Sequence, residues 1–416
     1  MGLKFSGNTE YFKDNDILDT YNKGASGDAY DVINPTLSNA VKRSGTRSTI
    51  TTLLNWKIKK WNIMPGISYQ TLDIDNEFAK NPSIKQSFNY VLPALNINVK
   101  EWSFSYNVNV KEPQATDLQP VVDNTNTLYQ QLGNPSLKPT QSHNLNLYYN
   151  KYDTKRNMNY NVYFNGSISD NAVIRERMID NKGVQISRPI NLDGVWRLSS
   201  SVGVSKQFKF KSNWQLSLRG NFFGEYNQNI VIVNNNRSEV KNWRLQPGSY
   251  IAFNFKDKLE INQRYSISWS KSQYTDGIYP NLEVITHYAS TEVVVRLPKH
   301  FVWESSIDYS YNPQTALGVR KSNLRWNGGV NYLFLKDDKG QLKLSVYDLL
   351  NQNISVNRVA RENYIQDNQT TVLRRYFLLT FTYNIRNFEH LHHRKWEAGI
   401  ICLCSNRWFS FVTTRG

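Results

Sequence analysis

The chain has 416 residues, 39% of them hydrophobic, a mean hydropathy of -0.58 and a formal charge of +16. No run of ~18 apolar residues occurs, which excludes a helical membrane span. The positive charge is spread over turns, loops and polar strand faces rather than gathered on one helix or patch, which argues against a nucleic-acid partner. The two cysteines, Cys402 and Cys404, both lie in the last fifteen residues, so neither a disulfide framework nor a thiol enzyme is expected.

The 25 Tyr, 19 Phe and 11 Trp, together with many Asn, Ser and Thr, suit strands with one wet face. In chain order, residues 3–9 predict the end of a strand, followed by a polar loop with Gly24, Gly27, Asp31 and Pro35. Residues 47–58 and 61–72 predict a hairpin about Lys59-Lys60, and 73–84 a loop. Residues 86–99 and 101–110 form the next pair. In the second, Trp102, Phe104, Tyr106, Val108 and Val110 alternate with Ser103, Ser105, Asn107 and Asn109. Pro93, lacking a donor, predicts a bulge. After a long connection, 142–151 and 157–167 alternate again, and a loop over 170–192 carries a short ribbon at 184–190. Hairpins follow at 196–209/214–226, 243–255/259–270, 283–297/301–311 and 324–335/342–349. A last strand spans 375–385.

About fifteen strands result, sixteen with the first fragment, and most have ten or more residues. That length suits a tilted crossing of the ~25 Å apolar band of an outer membrane. Turns of two to five residues alternate with loops of roughly nine to thirty, as short periplasmic turns and longer outer loops do. Trp61, Trp102, Trp214 and Trp303 each follow a short turn, where an aromatic girdle belongs. The fold class predicted is an all-β, transmembrane antiparallel β-barrel.

Three stretches carry a resemblance: 105–113 leading to Gly133-Asn134-Pro135-Ser136-Leu137-Lys138-Pro139; Val346-Tyr347-Asp348-Leu349-Leu350-Asn351-Gln352-Asn353; and 375–388 with its closing aromatic. They resemble the carboxy-terminal barrel of TonB-dependent receptor-like outer-membrane proteins of Bacteroidetes, over about residues 1–388. The resemblance implies part of a 22-strand barrel for uptake of a siderophore, oligosaccharide or peptide. It also implies partnership with outer-membrane lipid and lipopolysaccharide, the barrel-assembly machinery and, in full-length form, TonB and a surface lipoprotein. The family's plug, TonB box and signal peptide are not recognised, so a truncated copy is expected. A non-transporting surface-binding barrel or plugless passive pore is the alternative. Residues 389–416 depart from the pattern and are expected to lie outside the barrel.

No nucleophile, Walker A or dinucleotide motif appears, so no enzyme activity and no cofactor are expected. His390, His392 and His393 with Cys402 and Cys404 lack the spacing of a zinc knuckle. Asp73, Asp75 and Glu77 lack EF-hand spacing and read as a solvated turn. Arg219, Arg264 and Arg325 alternate with outward residues and are expected to face the lumen, paired with acids or attracting anionic solutes. Loops 112–139, 170–192 and 350–370 are candidates for ligand contact, through Tyr129, Arg361 and Tyr364. Gly133, Pro135 and Pro139 read as structural, setting the entry of loop into strand. Phe377, Leu379, Phe381, Tyr383 and Ile385 share one face of the terminal strand, which closes on the aromatic Phe388.

Overall fold

The computed structural model describes residues 1–24, 30–35, 38–79, 82–119, 123–126, 128–210, 213–275, 277, 279–314, 320–353, 355–360, 365–370, 372–384 and the backbone of 409–413. Within them the chain is almost entirely strand, with one single-turn helix at Ala115–Leu118 and a 3-10 turn at Lys336–Asp338.

Sixteen strands pair in sequence as one antiparallel meander. They are Gly2–Leu18, Asn39–Ile58, Trp61–Phe78, Ile84–Val99, Trp102–Lys111, Thr140–Asp153, Met158–Asp170, Val195–Lys209, Trp214–Val233, Asn236–Phe255, Leu259–Tyr274, Leu282–Val295, Phe301–Tyr311, Ser322–Phe334, Gly340–Tyr347 and Tyr376–Tyr383. The arrangement is that of a large barrel wall. Phe409–Thr413 pairs with Leu379–Tyr383 on the last of these strands. A side hairpin, Ala172–Ile179 with Gln185–Leu192, stands between the seventh and eighth strands and contains the ribbon expected there.

Side chains alternate across the sheet, because successive Cβ atoms point to opposite faces. One face carries an exposed apolar row on strand after strand, such as Ile50 and Trp56, Val91, Val202 and Val204, Phe222, Ile251, and Phe377, Leu379, Phe381 and Tyr383. The opposite face is polar. Neighbouring strands share it through bonds such as Asn165 Nδ2 to Asn146 Oδ1 (2.8 Å), Asn107 Nδ2 to Asn109 Oδ1 (2.8 Å) and Ser142 Oγ to Ser169 Oγ (3.0 Å).

Three sequence expectations change. Residues 73–78 are strand, not loop, and continue Trp61–Phe78 in register with Val41–Thr46. Asp73, Asp75 and Glu77 therefore alternate outward along a strand rather than sharing a turn, and Asp75 pairs with Lys85 at 3.1 Å. Pro93 makes no bulge, since the register with Trp61–Phe78 runs unbroken through Ile67↔Pro93. The ladder on its other side ends at Ala94↔Asn107, so the missing N–H faces a gap. Pro65 and Pro247 behave alike, each beside a two-residue gap in one neighbouring ladder. Third, the outer connections are not all long. Trp214–Val233 and Asn236–Phe255 run on to a two-residue turn at Asn234-Asn235, both at positive φ (49° and 65°), the geometry of a tight hairpin.

Candidate functional site: a capped mouth and an open wall

At the end of the sheet away from the short turns, the described residues of 111–140 fold back over the polar face instead of projecting from it. The helix Ala115–Leu118 places Leu118 into a buried cluster with Val41, Phe78 and Leu137, bordered by Ile84, Ala115 and Val173. Leu72, Ile74 and Asn76 lie buried on the same wall. Fully burying one such side chain contributes roughly 1.5–3 kcal/mol, so the cap is a small core of its own.

Arginines fix its edges. Arg43 donates from Nε to Asn76 Oδ1 (2.9 Å) and from Nη2 to the Pro113 carbonyl (2.7 Å). Arg47 holds Glu112 through both carboxylate oxygens (2.9 and 3.0 Å) and Glu10 at 3.0 Å. Arg175, from the side hairpin, reaches Asp117 at 2.6 Å and Gln131 at 3.2 Å. Arg43 stands roughly 40 Å along the barrel axis from the turn at Lys59 and thus beyond the apolar band. Burial pulls its pKa below the ordinary guanidinium value, while Glu112, Asp14 and Asp117 act in the opposite sense.

The Gly133–Pro139 motif is the hinge of this cap. A Cβ on Gly133 would run into the backbone of Gln119. Its neighbour Asn134 donates from its amide N–H to the Asp117 carbonyl (2.6 Å) and from Nδ2 to the Pro189 carbonyl (3.0 Å). Asn134 Oδ1 accepts from the Ser136 N–H (3.1 Å) and hydroxyl (2.6 Å), a local turn that aims Leu137 inward. Gln86 Nε2 donates to the Leu137 carbonyl at 2.9 Å. The motif's role is thus structural, as its residue types suggested.

The wall from 214 to 347 has no such cover among the described residues. There Arg219, Tyr250, Arg264, Ser290, Asp308 and Arg325 are successive ladder partners, so they form one row across six strands on the polar face. Arg325 donates to Asp308 at 2.9 Å, and Asp308 also accepts from Ser290 (2.8 Å) and Tyr288 (3.3 Å). Arg264 lies over the Tyr250 ring, 5.6 Å from its centroid. Further along, Lys343 reaches Glu304 at 2.6 Å beside a hollow of about 270 Å³ bordered by Glu292, Asn327, Gly329 and Ser345. Arg197 and Glu225 pair at 2.7 Å.

Trp61, Trp102, Trp214 and Trp303 stand at or near the first residue of their strands, all exposed on the apolar face. Trp102 packs against Tyr149 (4.5 Å between ring centroids) and Trp214 against Phe253 and Phe255 (5.3 and 5.1 Å). Tyr129 lies half-buried on a short strand parallel to Gln185–Ser187, apart from the arginine row. Arg361, Tyr364, Ile385, Phe388, His390, His392, His393, Cys402 and Cys404 lie outside the described residues. Arg43, Arg47 and Arg175 were not expected from the sequence, and Asn134 only as part of the Gly133–Pro139 motif. The available signal was Arg43 and Arg47 alternating with Val41 on the face that Leu72 and Ile74 share.

Residues 12–248 and 240–383 match the model of the outer membrane protein beta-barrel family. The chain belongs to that family. It is therefore an outer-membrane β-barrel protein, and its apolar face meets lipid while its polar face lines the interior. No curated protein matches the chain. Among solved structures it is similar to FpvA of P. aeruginosa, whose structure holds a pyoverdine–iron complex. Identity there is 12% and TM-score 0.28, over 92% of this chain and 65% of that one. The beta domain of the Bordetella autotransporter BrkA shares 8% identity at TM-score 0.20, covering 79% of this chain and 99% of that one. OccK5 (OpdH) of Pseudomonas aeruginosa shares 8% at TM-score 0.22, covering 83% and 92%. The chain thus spans about two thirds of the length of FpvA.

Proposed function

We propose that this barrel belongs to the TonB-dependent receptor-like group and serves uptake of a large nutrient: a siderophore, an oligosaccharide or a peptide. The observation that carries the reading is the asymmetric interior. One part of the wall is covered at the outer mouth by a cap, and another part is left open for a solute. Loops from 112–139 and 350–370, with Tyr129, Arg361 and Tyr364, make first contact with that solute. Trp61, Trp102, Trp214 and Trp303 seat the barrel at the lipid boundary, and the terminal strand around Phe377–Tyr383 is read by the assembly machinery. Residues 1–388 act as the barrel, with TonB and a surface lipoprotein as partners of the energised form. The test offers labelled ferric siderophore, oligosaccharide and peptide to cells with and without the gene. Gene-dependent accumulation of one solute that stops on adding a protonophore is expected. Accumulation that persists with the protonophore overturns energised uptake in favour of a passive pore, and binding without accumulation points to a surface-binding barrel.

A further inference from the structure

The row from Arg219 to Arg325 contains three cations and one anion, and the anion is already spoken for. Asp308 accepts from Arg325 at 2.9 Å, from Ser290 and from Tyr288, so it is shielded from the other two arginines. Arg219 and Arg264 flank Tyr250 as its direct ladder partners on either side. Their backbones are two strand spacings apart, about 9–10 Å. Both side chains are exposed on the interior face, and neither makes an ion pair among the described residues. The neighbouring positions two residues outward are neutral: Asn221, Gly248 and Ser266. On the other side lie Ser217, Ala252 and Asn262, and the nearest acid, Glu292, is the ladder partner of Asn262. Asn262 in turn accepts the Tyr250 hydroxyl at 3.0 Å, which holds the ring in place under the Arg264 guanidinium, 5.6 Å from the ring centroid.

Two guanidiniums without counter-ions, one of them stacked over an aromatic ring, on a wall of neutral side chains, form a recognition surface for oxyanions. Arginine presents paired N–H donors matched to a carboxylate. The two positions are far enough apart for two separate acidic groups, and Tyr250 steadies the Arg264 guanidinium. We infer that Arg219, Tyr250 and Arg264 form an interior site for a solute bearing two or more carboxylates. The inference rests on the reading of this barrel as an uptake conduit, and it names the chemistry of what passes.

The probe is citrate, applied by equilibrium dialysis to the full chain folded in detergent at pH 7 and low salt. Saturable binding to the wild-type protein is expected, weakening as ionic strength rises. R219Q/R264Q should weaken it at least tenfold. R219K/R264K, which keeps the charge and loses the fork, should fall between the two, and R197Q, at an arginine already paired with Glu225, should leave it unchanged. Heat-modifiable gel mobility confirms that each variant is folded. Absence of citrate binding by the folded wild-type protein, or unaltered binding by folded R219Q/R264Q, overturns the site. Citrate binding that follows this pattern in a protein that accumulates no nutrient in cells keeps the site and removes the uptake reading. Uptake without citrate binding does the reverse.

Discussion

The two walls of this interior are built on opposite plans. The wall from Asn39 to Phe78 hides its arginines under a cap and spends them on holding it, with Arg43 and Arg47 facing Pro113 and Glu112. The wall from Trp214 to Phe334 leaves Arg219 and Arg264 exposed and without an acid partner, Arg264 resting only on the Tyr250 ring. Residue type is the same in both places; what differs is whether a neighbouring strand or an overlying loop brings an acceptor within reach, as Asp308 does for Arg325 and Glu112 for Arg47. A charged residue on a barrel's inner face is thus structural or available according to those neighbours, and the alternation of one strand alone does not distinguish the two.

Substitutions can take this contrast apart. The largest effect is expected at the cap's centre: Leu137→Ala should loosen the cap by about 2–5 kcal/mol. Faster hydrogen exchange at the Leu132 and Asn134 amides, with the amides of Trp214–Phe255 unchanged, would show that cap and wall are separate units. Leu379→Arg attacks the wall instead. An arginine on the lipid face costs about 2–4 kcal/mol near the midplane, seen as a lower unfolding midpoint in urea with cap exchange unaltered. Arg175→Gln removes the charge opposite Asp117 and should cost about 1.5–3 kcal/mol. The readout is protease cleavage within 111–139, which should rise in the variant. Arg47→Gln should matter least, about 1 kcal/mol or below, because both ends of that ion pair remain partly hydrated. No measurable loss from either Arg175→Gln or Arg47→Gln would mean that the cap is held by its apolar core alone.

The strands were legible where lipid enforces the pattern. Trp61, Ile67 and Tyr69 point outward, and the alternation is plain. Beyond the band the sense of the pattern reverses: Leu72, Ile74 and Phe78 turn inward under the cap while Asp73, Asp75 and Glu77 meet water. An outward row that changes from apolar to acidic within one strand resembles a strand followed by a loop, which is why 73–84 reads as one. The inward placement of Arg219, Arg264 and Arg325 followed from period 2. Their common row did not, because register between strands far apart in sequence is set by turn lengths and pairing. The cap was invisible for a further reason. Gly133 and Asn134 make it through contacts with Gln119, Asp117 and Pro189, which no local pattern announces.

The twenty-residue strands Trp214–Val233 and Asn236–Phe255 reach roughly 50 Å along the tilted barrel, about twice the apolar band. Their tip at Asn234-Asn235 therefore stands clear of the bilayer, braced by the side hairpin through Arg177 and Ile179, well out in the space where antibodies and phages meet the cell. A short epitope inserted at that turn would be readable on living cells, and a predator particle seeking a stiff handhold would find one there.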